Sequence, residues 1–431
     1  MSTKILDSID IIRKQMQGQK LTKEELYKIV EDVVNNRLPD VAIAAFIVSQ
    51  EIRPLSLDEV ADLTMAMVET GKTTDFGPNT VDKHSIGGVP GNKVSLLIVP
   101  IIAASGLKIP KTSSRSITTI GTADTFETLA PVELRLEEVI DVVNKVNGCI
   151  VWGGSLDIAP ADDIFIKKVE HVLRIDPVSQ MLASILAKKV AMGSKYLVLD
   201  IPQGKGTKAP TYEDAIKLAQ MFVELGTKLG MQIEVAITYG DQPVGHAVGP
   251  ALEAKEALKT LEGTIVSSSL VEKSAGLAGI LLEMTGKVPS GRGIDIAKQV
   301  LSSGKALKKI KEIIEAQGGN PNIKSDDIPV GNYSEVIESQ NDGYVVSIDN
   351  KSIMAIVRAA GAPEDRGAGI VIHKKGGRYV KKGEPIMTIY SNSETRLDEA
   401  LQLARTLQPI LIEGMIRRRI KVSKVFPEHV E

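Results

Sequence analysis

The apolar positions of the first 70 residues follow the spacing of amphipathic helices. An apolar stripe with the i, i+3, i+4 spacing of one buried helix face runs from Leu26 to Val34. Thr22 and Glu25 stand just before it at the spacing of a capping box, which marks a helix start. Ser56 and Glu59 repeat this start signal before a second apolar stripe. The N-terminal region is therefore predicted to be all helical.

From about residue 80 to residue 330 the pattern changes to short β-branched runs that alternate with helical periodicity. The predicted strands are Gly148–Trp152, Tyr196–Ile201 and Gln232–Tyr239, and two of the predicted helices are Tyr212–Leu229 and Ala306–Glu315. Strands that alternate with helices indicate an α/β layer architecture. We therefore expect a large α/β domain with a central mixed sheet.

The last hundred residues contain short strand-like runs separated by turn clusters. The runs are Tyr344–Ile348, Gly369–Ile372 and Pro385–Tyr390, and a helical pattern at Leu397–Leu407 follows them. This arrangement predicts a small α+β lobe at the C-terminus.

These patterns divide the chain into three predicted parts. We predict a small helical domain, a large α/β domain and the C-terminal lobe, so the fold class is α/β. The segment 161–193 also reads as helical and is assigned to the first part. The predicted parts are 1–70 with 161–193, 76–160 with 194–330, and 331–431.

Composition and charge exclude several classes of protein. The chain is 43% hydrophobic and 25% charged with a formal net charge of −2, which is ordinary for a globular protein and argues against disorder. A dedicated nucleic-acid binder usually has a basic excess, which is absent here. The single cysteine, Cys149, excludes an internal disulfide and a Cys-rich zinc site.

The longest apolar stretch, Val94–Leu107, is too short to span a bilayer and is broken by polar residues and Pro100. It is predicted to be a buried core element. We expect a cytoplasmic protein without a membrane segment.

A loop at residues 82–95 has the chemistry of a phosphate site. Its glycines let the backbone approach a ligand, and an apolar helical run follows, so the loop is expected at a helix N-terminus, where anions bind. The alternative is a plain connection from a strand to a helix. The residues that carry the chemistry are Lys83, Ser85, Gly87, Gly88, Gly91, Lys93 and Ser95.

A second polar loop spans residues 110–124. It has seven hydroxyl residues and one arginine, Arg115, between Thr112 and Thr122. Hydroxyls donate hydrogen bonds and arginine pairs with phosphate in a bidentate manner, so this loop is a candidate oxyanion cradle. A solvated Ser/Thr-rich loop is the alternative. Two such loops indicate two anionic groups, or one group held from both sides.

A third candidate region begins at Asp162 and Asp163. These carboxylates could bind Mg²⁺ beside a phosphate, but we favour a cap on the following helix. Ser184 and Lys188 are four residues apart and share a helix face, with solvated surface as the alternative. The histidines have no metal-ligand spacing, and no metal site is predicted.

The motif Asp82-Lys83-His84-Ser85-x-Gly87-Gly88 resembles the phosphate loop of thymidine and pyrimidine-nucleoside phosphorylases, and the resemblance spans nearly the whole chain. Within that family the chain looks most similar to the AMP phosphorylases. The similar segments are Gly88–Lys93, Ser114–Thr119, Val151–Gly154, Ala159–Asp163 and Gly204–Lys208.

The resemblance implies a role for each matching residue. Asp176 would be the general acid that protonates the leaving base, and a helix cap before Pro177 is the alternative for it. Residues that would hold inorganic phosphate are Lys83, His84, Ser85, Ser95, Ser113 and Thr122. Residues that would hold the nucleotide are Gly88, Ser114, Arg115, Ser116, Ile117, Thr118, Thr119, Ser184, Lys188 and Lys208.

The implied reaction is phosphorolysis of the N-glycosidic bond of nucleoside 5′-monophosphates. AMP is the first candidate substrate, with CMP and UMP as further ones, and the products would be the free base and ribose 1,5-bisphosphate. Inorganic phosphate would be a co-substrate, and no cofactor or metal is implied. The resemblance also implies a homodimer formed through the helical domain, with no nucleic-acid or membrane partner.

Three alternatives remain at this point. A nucleoside phosphorylase would give ribose or deoxyribose 1-phosphate, but its Arg-containing base motif is broken here at Leu173–Asp176. A phosphoribosyltransferase of related fold would use Mg²⁺ at Asp162 and Asp163, so dependence on Mg²⁺ discriminates it. A carrier role for the C-terminal lobe would need a Met-Lys-Met turn, and Lys381-Lys382-Gly383 lacks it.

Overall fold

The computed structural model describes residues 3–115, 119–264, 267–416 and residue 420, with side chains from residue 8 onward. Four helices open the chain and pack on one another. Their bounds are α1 (Thr3–Met16), α2 (Lys23–Val34), α3 (Asp40–Ile52) and α4 (Leu57–Glu69).

Both predicted capping boxes are present in the helical bundle. The Thr22 hydroxyl accepts from the backbone N–H of Glu25, whose carboxylate accepts from the Thr22 N–H. Ser56 and Glu59 form the same reciprocal pair at the start of α4. The prediction of an all-helical N-terminal region is confirmed.

The α/β part follows, and its strands alternate with helices. A short 3₁₀ turn, Gly153–Ser155, and a π-helical turn, Ile166–Glu170, interrupt the series. The first elements of this part are β1 (Val81–Ser85), α5 (Ser95–Ala104), β2 (Ile109–Ser113), α6 (Thr122–Phe126), α7 (Leu136–Val146), β3 (Gly148–Trp152), α8 (Pro160–Phe165), α9 (His171–Leu173) and α10 (Val178–Ala191). The remaining ones are β4 (Tyr196–Gln203), α11 (Tyr212–Lys228), β5 (Gln232–Tyr239), β6 (Ala247–Val248), α12 (Pro250–Glu262), α13 (Ser268–Met284), α14 (Gly293–Ser302) and α15 (Lys305–Ala316).

The strands β1 to β5 are parallel to their neighbours. One sheet has the order β1-β4-β5, and β2 pairs with β3. A parallel bridge between Thr80 and Lys108 connects the two groups. The sequence predicted a mixed sheet, whereas the pairs described among these five strands are all parallel. The reason is that helices connect successive strands, and a helical crossover returns the chain in the same direction.

The apolar stretch predicted to be a core element forms α5. Every residue of this helix from Ser95 to Ala103 is buried, although Pro100 lies inside it. It packs against β2 and β3 on one side and against α13 and α15 on the other. The start of α5 is therefore fixed firmly beside the end of β1.

The segment between α8 and α10 lies against the N-terminal bundle. Helix α10 packs on α4 and α3, and α8 packs on α2. The wall of helices that faces the parallel strands therefore contains residues from two distant parts of the sequence.

The described part of the C-terminal lobe has two small antiparallel sheets and two helices, which agrees with the predicted α+β lobe. Strand β6 of the α/β part pairs with one of them through β9 (Gly369–Ile372), which connects the lobe to the α/β part. The lobe begins after a 3₁₀ turn at Ser325–Asp327, and its other elements are β7 (Tyr333–Glu338), β8 (Gly343–Ile348), α16 (Asn350–Ala359), β10 (Tyr379–Val380), β11 (Pro385–Ser391), α17 (Glu394–Leu407) and β12 (Ile410–Glu413). The predicted fold class is confirmed. Among the described residues, no helix is both long and apolar enough to cross a membrane.

Candidate active site

A cleft of about 820 Å³ lies where the carboxyl ends of the parallel strands meet the helical wall. Ligands of open α/β sheets bind at this edge, and the volume is within the usual range for small-molecule sites. The ends of β1 and β2, the start of α5, the π-helical turn, α10 and α16 all contribute to its lining. The cleft is therefore lined by residues of the helical wall, the α/β part and the C-terminal lobe.

Lys83 and Ser85 lie at the end of β1, and a buried carboxylate holds them. Lys83 Nζ donates to Ser85 Oγ at 2.6 Å, and the Ser85 hydroxyl in turn donates to Asp200. Thr238 donates to Asp200 at 2.6 Å, and Lys273 Nζ lies 2.9 Å from it. Asp200 thus contacts two hydroxyls and one ammonium group directly, and it orients Lys83 through Ser85.

The pKa values in this cluster are displaced because the groups are buried. Burial lowers the pKa of Lys83 to about 8. Burial acts to raise the pKa of Asp200, but the ammonium groups of Lys273 and Lys83 outweigh it and lower that pKa to about 2. Asp200 is therefore ionised at any physiological pH, while Lys83 is close to its titration range.

A second group of lysines lies beside the first. Lys189 forms an ion pair with Asp82 at 2.6 Å and donates to the Thr112 hydroxyl at 3.1 Å. Burial, followed by the charge of Lys189, lowers the pKa of Lys111 well below its usual value. Burial and the nearby ammonium groups also lower the pKa of His84 far below the ordinary range, so this imidazole is neutral. Lysines therefore outnumber carboxylates at this end of the cleft, where Asp82 and Asp200 pair with Lys189 and Lys273.

Buried polar atoms at this end lack a hydrogen-bond partner among the described residues. They include Ser95 Oγ, in the first turn of α5, His84 Nδ1 and Asn92 Oδ1. Buried polar atoms normally have partners, so a bound ligand is the simplest way to satisfy them. Ser113 and Thr122 line the same cleft. The six predicted phosphate residues are thus brought together.

Gly88 lies in the loop after β1, where its backbone comes close to the loop after β4. Its φ is +90°, and a Cβ built on it would lie 2.9 Å from the Cα of Thr207. A side chain at this position would therefore be strained and would collide with backbone. Lys208 follows Thr207 and lines the cleft with it.

Lys93 does not contribute charge to the cleft, contrary to the sequence-based expectation. Its ammonium group is buried and binds the carbonyl oxygens of Val244 at 3.0 Å and Ala247 at 2.9 Å. Glu256 completes the contacts at 2.7 Å. Lys93 thus fastens the start of α5 to the segment that leads into α12.

The Ser/Thr loop is described in part. Ser114, Arg115 and Thr119 line the cleft, whereas Ser116, Ile117 and Thr118 lie outside the described residues. Within the described part of the chain, the Arg115 guanidinium forms ion pairs with three carboxylates. It also lies over the ring of Trp152, 5.2 Å from the ring centre. The carboxylates, each within 3.2 Å, belong to Asp124, Glu127 and Glu133.

Asp176, Ser184, Lys188 and Lys208 also line the cleft. Asp176 and Lys208 are in direct ionic contact, and the Asp176 side chain is 42% exposed. Ser184 donates to Asp162 at 2.9 Å, and Lys188 pairs with Asp162 at 2.6 Å. Ser184 and Lys188 are therefore part of the cleft wall and not solvated surface.

The favoured reading of Asp162 as a helix cap is wrong. Helix α8 begins at Pro160 without a side-chain cap, because the Asp162 carboxylate turns inward to Lys188 and Ser184. Among the described residues, no group of three potential metal ligands is present.

The sequence reasoning missed Glu170, which lines the cleft, and Asp200, which is buried behind it. Both look like ordinary helix and strand residues in the sequence, and no local motif marks them. Lys351 and Arg358 of α16 also line the cleft, and Asn350 anchors that helix by donating to the Gly240 carbonyl at 2.7 Å. The approach of α16 depends on how the lobe packs, which a local pattern does not encode.

Three family descriptions match successive parts of the chain. Residues 9–71 match the helical bundle domain of a glycosyl transferase family, and residues 77–307 match the a/b domain of the same family. Residues 344–411 match the C-terminal domain of pyrimidine nucleoside phosphorylase. The matched segments follow the three parts of the fold.

Several relatives are similar over almost the entire chain. An AMP phosphorylase of Thermococcus sibiricus is 56% identical over 416 residues, which cover 96% of this chain and 82% of that protein. AMP phosphorylases of Thermococcus kodakarensis and Methanosarcina mazei are 55% and 54% identical, each with the same 96% and 82% coverage.

One solved structure supports the fold independently. Anthranilate phosphoribosyltransferase from Thermus thermophilus superimposes with a TM-score of 0.60 at 20% identity and covers 72% of this chain and 99% of its own. At that identity the likeness extends to the fold alone.

Proposed function

The chain belongs to the glycosyl transferase family, together with the AMP phosphorylases that it matches over 96% of its length, and we propose that it is a nucleoside-5′-monophosphate phosphorylase. It is an enzyme of the pentosyltransferase type. Its reaction is the cleavage of the N-glycosidic bond of AMP by inorganic phosphate. The products are adenine and ribose 1,5-bisphosphate.

The observation that carries this proposal is the lysine-rich end of the cleft with its unpartnered polar atoms. Ser95 Oγ and His84 Nδ1 face a site that Lys83 and Ser85 also line. A phosphate ion fits this set because it offers acceptor oxygens and negative charge together. The second polar loop, with Ser114 and neighbouring residues, is suited to the 5′-phosphate of the nucleotide.

The proposed mechanism follows from these positions. An oxygen of the bound phosphate attacks C1′ while the C1′–N bond breaks and its electron pair moves to the base, through an oxocarbenium-like state. Lys83 and Ser85 orient the phosphate and stabilise its charge, as preorganised groups do in a buried site. The departing adenine takes up one proton.

Asp176 remains the proposed proton donor. It lines the cleft and is in ionic contact with Lys208 in the ligand-free chain. A bound nucleotide would draw the Lys208 ammonium to its phosphate and leave Asp176 facing the base as the cleft closes. Exclusion of water also protects the sugar from hydrolysis.

We propose further that the enzyme is a cytoplasmic homodimer and uses no metal or organic cofactor. The dimer is supported by three apolar side chains that the helical domain exposes. Met16 is 52% exposed, Val41 77% and Ile52 73%. Val41 and Ile52 lie near the two ends of α3, and exposed apolar side chains occur at association sites.

A nucleoside phosphorylase is the second candidate function, because residues 344–411 match a pyrimidine nucleoside phosphorylase domain. The similarity to AMP phosphorylases extends over much more of the chain and makes this candidate weaker.

The proposed function is tested by incubating the protein with AMP in the presence and absence of inorganic phosphate. We expect adenine release only with phosphate, together with a sugar product that carries two phosphate groups by ³¹P NMR. Release of adenine without phosphate would indicate a hydrolase, and no release in either case would contradict the proposal.

A further inference from the structure

Glu170 is a carboxyl group in the cleft that none of the roles above uses. It ends the π-helical turn Ile166–Glu170 and lines the cleft together with Asp176. Its Oε1 atom is buried and has no hydrogen-bond partner among the described residues. π-helical turns occur frequently at functional sites, and a buried polar atom without a partner is costly unless a ligand satisfies it.

The backbone fixes Glu170 beside the proposed proton donor. The carbonyl of Glu170 accepts a hydrogen bond from the Ile175 N–H at 3.2 Å. Arg174 takes a left-handed conformation with φ of +55° and reverses the chain between them. Glu170 and Asp176 therefore belong to one compact turn, which lines the cleft.

Burial and neighbouring charges set the protonation state of the Glu170 carboxyl. Burial raises the pKa of Glu170 to about 8, and the carboxylates of Asp162 and Asp176 act in the same direction. The ammonium groups of Lys188 and Lys208 oppose them. At neutral pH the group is therefore mostly a neutral carboxylic acid. Other charged residues near the turn are His171 and Arg174 in the cleft, and the pair of Lys168 with Asp40 of α3 on the outer side.

We propose that Glu170, as a neutral carboxylic acid, recognises the adenine of the nucleotide. Its O–H donates to a ring nitrogen of the base, and its carbonyl oxygen accepts from the exocyclic amino group. This inference deepens the proposed function and rests on it, because it assumes that a nucleotide occupies the cleft with its base at the Asp176 end.

The chemistry of adenine fits a neutral carboxyl and not an ionised one. Adenine presents the acceptor N7 next to the donor N6, a pair that carboxamides of Asn and Gln bind in a bidentate manner. A carboxylic acid offers the same donor and acceptor as a carboxamide. A carboxylate has only acceptors and would face the lone pair of the ring nitrogen. Recognition is therefore lost as pH rises through the pKa of Glu170.

The test compares AMP with purine riboside 5′-monophosphate, which lacks the amino group. The ratio of their kcat/KM values isolates the base contact, because groups that bind phosphate or ribose affect both substrates equally. In particular, the titration of Lys83 cancels from the ratio. The proteins are wild type, Glu170→Gln, Glu170→Leu and Glu399→Gln, the last an exposed carboxyl on α17 that serves as a matched control.

We expect the wild-type ratio to fall between pH 7 and pH 9. Glu170→Gln keeps the preference for AMP at both pH values, because the carboxamide does not ionise. Glu170→Leu lowers the ratio roughly 10- to 100-fold at pH 7, the range for one bidentate base contact. The Glu399→Gln protein matches wild type. Melting temperatures confirm that each variant is folded, and the KM for phosphate stays within twofold.

Three results would overturn the inference while AMP remains a substrate. They are an unchanged ratio in folded Glu170→Leu, a Gln variant as impaired in the ratio as the Leu variant, and a wild-type ratio independent of pH. If wild type releases no adenine from AMP with phosphate, the proposed function fails first and the inference fails with it.

Discussion

At the scale of single residues, the proposed phosphate site depends on a carboxylate that does not itself line the cleft. Asp200 is buried and accepts from Ser85 and Thr238 while it pairs with Lys273. It keeps Lys83 and Ser85 oriented before any phosphate arrives. Such preorganisation lowers the cost of stabilising charge in the transition state.

The first prediction concerns this carboxylate. Asp200→Asn keeps the volume but leaves two buried ammonium groups without their counter-charge, which costs about 3–5 kcal/mol when a buried pair is broken. We expect the KM for phosphate to rise at least about 10-fold and the KM for AMP to change less. A Thr238→Val variant, which removes one hydrogen bond and no charge, is the control. Equal effects on both KM values would argue against a specific role at the phosphate end.

The second prediction concerns pH. Burial lowers the pKa of Lys83 to about 8, so in the free enzyme its ammonium charge is present below that pH and is lost as pH rises through it. We expect kcat/KM for phosphate to decrease above about pH 8 and phosphate binding to take up protons there. In Lys83→Arg the guanidinium stays charged, so the decrease should disappear. A flat profile for wild type up to pH 10 would contradict this assignment.

The meeting of Lys83, Ser85 and Ser95 in one cleft was predictable because these residues are close in sequence. Lys83 and Ser85 end β1, Ser95 begins α5, and glycines mark the tight loop between them. Asp200 and Glu170 were not predictable, since they gain their importance from burial and from neighbours far away in sequence. Asp162 was misassigned because a cap is the common local choice, whereas its partner Lys188 comes from another helix.

At the scale of elements, the loop after β1 has to pass close to the loop after β4. Gly88 makes this approach possible, because a Cβ there would meet the Thr207 backbone at 2.9 Å. Gly87 also has a positive φ of +94°, but a Cβ on it would meet nothing within 4 Å. The two glycines therefore have similar φ values, and they differ in the free space available to a side chain.

The third prediction uses this difference. Gly87→Ala should cost about 1 kcal/mol of stability from backbone strain alone. Gly88→Ala must in addition displace Thr207 and Lys208, and we expect it to reduce kcat/KM for AMP about 10-fold more than Gly87→Ala does. Steady-state kinetics of the two variants side by side checks this. Identical kinetics would show that the close approach of the loops does not matter for catalysis.

Helices and strands themselves were largely predictable, because their signals are local and periodic. The capping boxes at Thr22 and Ser56 located two helix starts correctly. The strands β3, β4 and β5 were expected at positions that match the structure closely. The π-helical turn at Ile166–Glu170 was not expected, because no sequence period distinguishes it from an α-helix.

At the scale of the whole molecule, one cleft collects residues from the helical wall, the parallel strands and the lobe. The lobe contributes α16, which carries Lys351 and Arg358 into the cleft lining. Parallel sheets bind ligands at their carboxyl edge, so the sheet topology made the location of the cleft predictable. The part played by α16 depends on contacts between distant segments and was not predictable.

The fourth prediction concerns assembly. Val41 is 77% exposed and Ile52 73%, and both belong to α3. If the helical domain forms the dimer, replacing both residues by Glu should shift the protein to monomers in sedimentation velocity. Val346→Glu, on a 44% exposed apolar residue of the lobe, should leave the dimer intact. A wild-type monomer, or a dimer unaffected by the double change, would contradict the proposed interface.

The central claim is that the cleft takes a nucleotide and not a nucleoside, and one comparison tests it most directly. Phosphate-dependent release of adenine is measured from AMP and from adenosine under the same conditions. Several charge-assisted hydrogen bonds of about 1.5–3 kcal/mol each would hold the 5′-phosphate, so we predict at least about a 100-fold higher kcat/KM for AMP. Equal or faster cleavage of adenosine would contradict the account and make the protein a nucleoside phosphorylase.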